Sequence, residues 1–243
     1  MKKYNYRLTI RYIGTRYHGW QRQPRHITVQ QVIEDQLKVL FNEKVTLIAS
    51  GRTDAGVHAL GQVANFKSST YRKPEEIMKF LNASLPRDIG ITKAEEVPLS
   101  FNARFSAKGK TYFYRIYTKP DPFLYGFGWY VSKRIDIKKM EDALELIKGY
   151  KNLKSFSKKG DYLREEIDLR ELFLKFDGTI IEIHITASHF LRYMVRKIVA
   201  HTLRVGTGKL TLDQLKEIIE ATDPNRGIYI APPEGLFLKE VYY

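Results

Sequence analysis

The sequence predicts an α+β fold in two related halves, residues 1–105 and 106–243. Three observations support it. Each half supplies several strands and two helices, the strands come in runs that read as antiparallel, and the pattern starts over in the second half. With 43% hydrophobic residues over 243 positions, the chain can bury a core as one large domain or two modest ones.

Residues 4–13 alternate and are rich in β-formers, which predicts a strand, and a Gly-rich loop follows over 14–27. Thr28 can cap a helix reaching about Phe41, because Val29, Val32, Ile33, Gln36, Leu37 and Leu40 recur at helical spacing. Strand signals return at 44–49, a loop spans 51–61, and another strand covers 62–67. Pro74 opens a second helix, and 89–97 reads as a strand. In the second half, 108–118 alternates aromatic with other residues as a strand does, and 119–128 is a Pro, Gly and Asp-rich loop. Asp136 can cap a helix to Lys148, and strands at 167–176 and 179–186 flank Asp177-Gly178, a hairpin signal. Helices are expected at 189–205 and 212–221 and a last strand at 234–243, with the helices covering one face of the sheet.

Lys and Arg number 41 against 27 Asp and Glu, a formal net charge of +14 shared by both halves. Such a surface suits a polyanion, and the aromatic content favours nucleic acid over an anionic membrane or an acidic protein. The absence of cysteine excludes disulfides, thiolate metal sites and cysteine nucleophiles. The basic start lacks the apolar block of a secretion signal, and no stretch approaches the roughly 18 apolar residues of a membrane span, so a cytoplasmic protein is expected.

Before Glu34 there is no acidic residue, and Lys2, Lys3, Arg7, Arg11, Arg16, Arg22 and Arg25 interleave with Tyr12, Tyr17, His18 and Trp20. Cations attract phosphates, rings stack on unpaired bases, and Gln21 and Gln23 can hydrogen-bond to bases or sugar hydroxyls. A solvated basic face with a few buried rings fits the same residues. Gly51-Arg52-Thr53-Asp54-Ala55-Gly56-Val57-His58 concentrates polar side chains between glycines, which let backbone approach a ligand. An ordinary turn with Asp54 bonded to its own loop amides is the plain alternative. Asp54 and His58 are too poorly spaced, and too lacking in partners, for a convincing metal site. Hydrolytic glycosidases usually need two carboxylates, and Asp54 has no adjacent second one. Tyr112 and Tyr114 should share one strand face and Phe113 the other, suiting either base stacking or core packing. Around residues 189–197, Phe190, Met194 and Ile198 fall on one helical stripe and Arg192 and Arg196 on another face, where a guanidinium could orient a carboxylate or simply be solvated.

In this order the segments resemble the tRNA pseudouridine(38–40) synthase family. The resemblance runs from Tyr12-Ile13-Gly14-Thr15 and Gly19-Trp20-Gln21-Arg22-Gln23 through Thr28-Val29-Gln30, Gly51 to His58 with Gly61-Gln62, Phe101 to Ala107, Tyr112, Met194-Val195-Arg196 and Gly235-Leu236. The block from Gly51 to His58 is its most specific part, and Ile13 departs from it, since the family usually has an acidic residue there. The resemblance implies Asp54 as catalytic aspartate, Arg196 as its ion-pair partner, Arg52 holding the target nucleotide out of its stack and Tyr112 packing against the flipped uracil. Arg22, Trp20, Gln21 and His58 would complete the substrate contacts. It further implies two α+β halves whose sheets join across a basic cleft, a homodimer, an anticodon stem-loop of tRNA as substrate, and no metal, nucleotide or redox cofactor. Two rival readings remain: a non-catalytic RNA-binding protein, and a metal-dependent hydrolase centred on Asp54 and His58.

Overall fold

The computed structural model describes residues 3–160 and 166–243, and among them are nine β-strands and five α-helices, the α+β composition expected. They form two units, one running to Lys108 and including Phe237–Tyr243, the other Gly109–Leu236.

In the first unit, the alternation at the N-terminus becomes β1 (Tyr4–Tyr12), with Tyr6, Leu8 and Ile10 fully buried. β1 lies antiparallel to both β3 (His58–Ser68) and β4 (Ile89–Val97). Helix α1 (Val29–Phe41) starts where the sequence indicates, because the Thr28 side chain accepts the Gln31 amide; it ends at Asn42, which adopts the left-handed conformation with φ 50°. Helix α2 (Pro74–Ser84) has its proline in the first turn. Two strand expectations need correction here. Only Ile48–Ala49 pairs as β2, because the backbone of buried Leu47 is taken by side chains: its amide donates to Glu34 Oε1 and its carbonyl accepts from Gln30 Nε2. β3 begins four residues early, at His58, where it pairs with the start of β9 (Leu236–Tyr242).

That pairing, His58 with Phe237 and Ala59 with Leu238, is parallel, which corrects the expectation of antiparallel strands throughout. The second unit holds another parallel pair, β5 (Gly109–Tyr117) with the two-residue β6 (Trp129–Tyr130). Here β5 also pairs antiparallel with β8 (Ile180–Ala187), and β8 antiparallel with β7 (Leu169–Phe176). The β7–β8 turn is the Asp177-Gly178 hairpin, with Gly178 at φ +92° and Asp177 Oδ1 accepting the amides of Thr179 and Ile180. Helix α3 (Ile137–Lys148) is capped by Asp136, and α5 (Leu212–Glu220) by a reciprocal Thr211 and Gln214 box.

Helix α4 (Met194–Gly206) starts five residues later than its apolar period suggests. Tyr193 sits at φ 67°, outside helical geometry, after a turn in which the Met194 amide donates to the Leu191 carbonyl. Phe190 still packs, edge-on to Tyr112 at 4.9 Å, and Met194 and Ile198 are fully buried, although the three do not lie on one helix.

Within this unit Gly235 lies against Tyr114, which is fully buried and donates its hydroxyl to the Pro232 carbonyl at 2.8 Å. A Cβ on Gly235 would fall 2.4 Å from the Tyr114 Cζ. Gly235→Ala is therefore expected to destabilise the protein by about 1–3 kcal/mol, as overpacking does. Thermal unfolding measures this, and an unchanged Tm would show that the ring can yield.

Candidate active site

The loop after β2 is fixed by its neighbours along its length. Gln62, fully buried on β3, accepts the Ser50 hydroxyl at 2.8 Å and donates to the Gly51 carbonyl at 3.0 Å. Thr53 is gripped twice: its hydroxyl meets the Tyr12 hydroxyl at 2.8 Å, and its carbonyl accepts the Trp20 amide at 3.1 Å. Burial pushes the Tyr12 phenol up to about 12, so it remains a neutral hydrogen-bonding group. Past Asp54 the chain turns through Ala55 and Gly56, the latter at φ +79°, and the Val57 amide closes the turn on the Asp54 carbonyl.

The glycines of the first loop are where that turn docks. A Cβ on Gly14 would lie 2.0 Å from the Val57 oxygen, and one on Gly19 2.6 Å from the Thr53 oxygen, with Gly19 also at φ +85°. The Gly56 amide donates to the Tyr17 carbonyl and the Gly14 amide to Nδ1 of His58 at 3.1 Å. The first loop is in turn tied to the start of α1, whose Val29 and Gln30 amides donate to the Gly19 and Trp20 carbonyls. Its outer end hangs on Asp88, just before β4. The Asp88 carboxylate accepts from Arg16 Nε and the Tyr17 hydroxyl, and its carbonyl accepts the Ile13 amide. A carboxylate distant in sequence thus serves the loop that opens with Ile13.

Asp54 is partly buried, whereas Arg52 is exposed and donates from Nε to the Gln21 side chain at 3.1 Å, so two of the expected substrate residues meet. Arg22 sits beside them on the chain, bonded to Asp35 at 2.8 Å and paired with the buried Glu34 at 3.3 Å. Trp20 is 1% exposed and packs on Tyr12, so its ring belongs to the core and its backbone to the loop contact. His58 is equally buried, stacked on Phe237 at 4.7 Å, with one ring nitrogen occupied by the Gly14 amide. Of the N-terminal cations, Lys2 lies outside the described residues, and Arg7, Arg16 and Arg22 pair with Glu95, Asp88 and the two α1 carboxylates. The acid-free stretch is therefore partly neutralised by acids from later in the chain.

The second unit carries Tyr112 and Arg196. Tyr112 lies on β5, 8% exposed. Arg196, in the first turn of α4, donates from Nε to the Ala231 carbonyl at 2.7 Å, which sets the direction of its guanidinium. Arg192 and Arg196 do not share a helix face, since Arg192 precedes α4. They meet instead around the ring of Tyr193, 5.1 Å and 5.4 Å from its centroid, with Lys158 at 5.9 Å. Neither Asp88 nor the Tyr193 platform carries a sequence signal that reveals it. Both depend on contacts between residues far apart in the chain or on one unusual φ.

The family model described as tRNA pseudouridine synthase matches residues 8–106 and 143–243. A tRNA pseudouridine synthase A of Caldicellulosiruptor bescii is 42% identical over 242 residues, covering 98% of this chain and 99% of that protein. Another, from Aquifex aeolicus, is 38% identical over 239 residues, with 98% of each covered. A third, from Acetivibrio thermocellus, is 40% identical over 242 residues, covering 98% of this chain and 99% of its own.

Because the Gly19 contact aligns the loop that carries Asp54, Gly19→Ala is expected to leave a folded protein and to lower turnover on tRNA by about a hundredfold, the effect of an ångström-scale misplacement. Circular dichroism beside a pseudouridine assay checks it, and near-normal turnover would show that the loop does not need this contact.

Proposed function

The chain belongs to the tRNA pseudouridine synthase family, and from that membership we propose that it isomerises uridine to pseudouridine in the anticodon stem-loop, at tRNA positions 38–40, with Asp54 as its single catalytic carboxylate. As a member it is a tRNA-modifying isomerase. The observation that carries the finer reading is the rigid mounting of Asp54. The loop lies inside the first matched stretch, and backbone is pressed against backbone on both sides of it where only glycine fits.

The reaction breaks the C1′–N1 bond, turns the uracil within the site and rejoins it through C5. The C5 proton is lost and N1 gains one, so substrate and product are isomers. No water needs activating, which is consistent with one carboxylate where a hydrolase would use two. Asp54 attacks C1′ or C6, or removes a sugar proton; each role needs its carboxylate aimed at one atom of an extruded nucleotide. In this reading Arg196 is the cation that orients Asp54. Arg52, steadied by Gln21, holds the target nucleotide out of its stack, and Tyr112, backed by Phe190, packs on the uracil. Arg22 serves the flanking backbone, while Trp20 and His58 support the loop from the core. The two halves bounding a basic cleft, the homodimer and a cytoplasmic location are parts of the same proposal. Among the described residues no helix is long and apolar enough to cross a membrane.

Asp54→Asn is expected to abolish pseudouridine formation on unmodified tRNA while changing tRNA affinity by no more than about twofold, since the carboxylate acts mainly in the transition state. Arg196→Ala should lower kcat by about a hundredfold, in the range of a lost electrostatic partner. Retained turnover in Asp54→Asn removes that residue from its role. A wild-type protein that binds uridine-containing tRNAs without converting any leaves only the RNA-binding alternative. Mapping pseudouridine in tRNA from cells with and without the protein tests the positions.

A further inference from the structure

A cavity of about 410 Å³ lies wholly within the Gly109–Leu236 unit, between β6 with the residues that follow it, the C-terminal turns of α4, and Tyr229-Ile230. Three cations line it, Lys133, Arg204 and Lys209, and no carboxylate is among its lining residues. The Arg204 guanidinium lies over the Tyr229 ring, 3.6 Å from its centroid, and the buried ring of His201 meets Tyr229 edge-on at 5.5 Å. The guanidinium is thus mounted on a supported platform. Its Nε is buried and makes no hydrogen bond among the described residues.

Lys133 and Lys209 line the same concavity, and Lys133, with Arg204 behind it, holds Lys209 below the usual ammonium range. Long lysine side chains on an open surface separate at almost no cost. Three cations gathered on one concavity, one with an unused buried donor, form an arrangement that an anion would stabilise. The floor is apolar and aromatic, with Trp129, Leu203 and Ile230 beside the charges. A simple inorganic anion makes no use of such a floor, whereas the sugar or base attached to a phosphate does.

We propose that this cavity binds the phosphate group of a nucleotide, with Lys133, Lys209 and Arg204 around the phosphate oxygens and the aromatic floor under the attached sugar or base. The chemistry is shared by a phosphodiester within an RNA strand and by a free nucleotide. No residue of the Gly51 to His58 loop is among the residues that line it.

The test is to titrate the full chain and the double variant Lys133→Ala/Lys209→Ala with inorganic phosphate, uridine monophosphate and unmodified tRNA. The fluorescence of Trp129 reports occupancy. Uridine monophosphate is expected to bind the wild type more tightly than phosphate does, and the variant about tenfold or more weakly than the wild type. If the phosphate belongs to an RNA strand, tRNA affinity falls as well, and the slope of log affinity against log salt becomes shallower by about one. If it belongs to a free nucleotide, uridine monophosphate binding is lost while tRNA affinity holds. Should none of the three probes distinguish variant from wild type, the proposal is overturned. Both lysines are exposed, so the variant should fold. Turnover of the wild type and of Asp54→Asn, both of which keep Lys133 and Lys209, tests the Asp54 reading separately, so failure here and failure there are distinguishable.

Discussion

Two loops meeting backbone to backbone are the constraint on which the candidate site depends. The first loop offers Gly14 and Gly19 where any side chain would collide with the Val57 and Thr53 carbonyls. Hydrogen bonds from Trp20 to Thr53, from Gly56 to Tyr17 and from Gly14 to His58 fasten the contact. Each joins buried or part-buried groups, where an unmade bond costs about 1–3 kcal/mol. The loop is therefore held by many small penalties against leaving, with no single strong bond. Such a mounting suits a carboxylate that must meet one atom of a nucleotide arriving from outside.

Electrostatics follows from the same geometry. The stretch before Glu34 looks uniformly basic, yet the fold returns Glu34, Asp35, Asp88 and Glu95 to it, each beside an arginine. Of these, Arg22–Asp35 is exposed on both sides and contributes little stability, and what the set provides is direction. Asp88 orients the end of the first loop, and Glu34, itself bonded to Gln30 and the Leu47 amide, ties Arg22 to α1. Arg52 differs in that it donates to the neutral Gln21 side chain, a contact that leaves its charge uncancelled. Local sequence charge overstates the basic surface, and the remaining cations are placed by the fold.

Much of this fold is legible where the signal is local. The Thr28 and Asp136 caps, the Pro74 start and the Asp177-Gly178 hairpin each involve residues within a few positions of one another, and all form as the sequence indicates. What escapes is decided by distant partners. Residues 44–47 have strand character, but Gln30 and Glu34 side chains claim the Leu47 backbone. β3 begins at His58 because β9, almost two hundred residues later, is beside it. For α4, apolar spacing persists through Phe190 although Tyr193 breaks the helix, since packing on Tyr112 asks only where a side chain ends up. The candidate site divides in the same way. The Gly51 to His58 motif announces itself by composition, while the glycine contacts explain it only once the facing carbonyls are known.

The burial of Trp20 and His58 sharpens what the motif residues do. Rings and imidazoles in a loop invite a role at the ligand, yet Trp20 is packed on Tyr12 and His58 is stacked on Phe237 with its Nδ1 accepting a backbone amide. An imidazole so engaged makes a poor metal ligand and a poor proton shuttle, because either role needs a ring nitrogen presented to the substrate. This weakens the metal-hydrolase reading more than the spacing of Asp54 and His58 does. It leaves Asp54 and Arg52 as the polar side chains of the Gly51 to His58 block that are at least partly exposed, and the proposed isomerisation, which keeps its base, asks for two such groups: one to act on the nucleotide and one to hold it there.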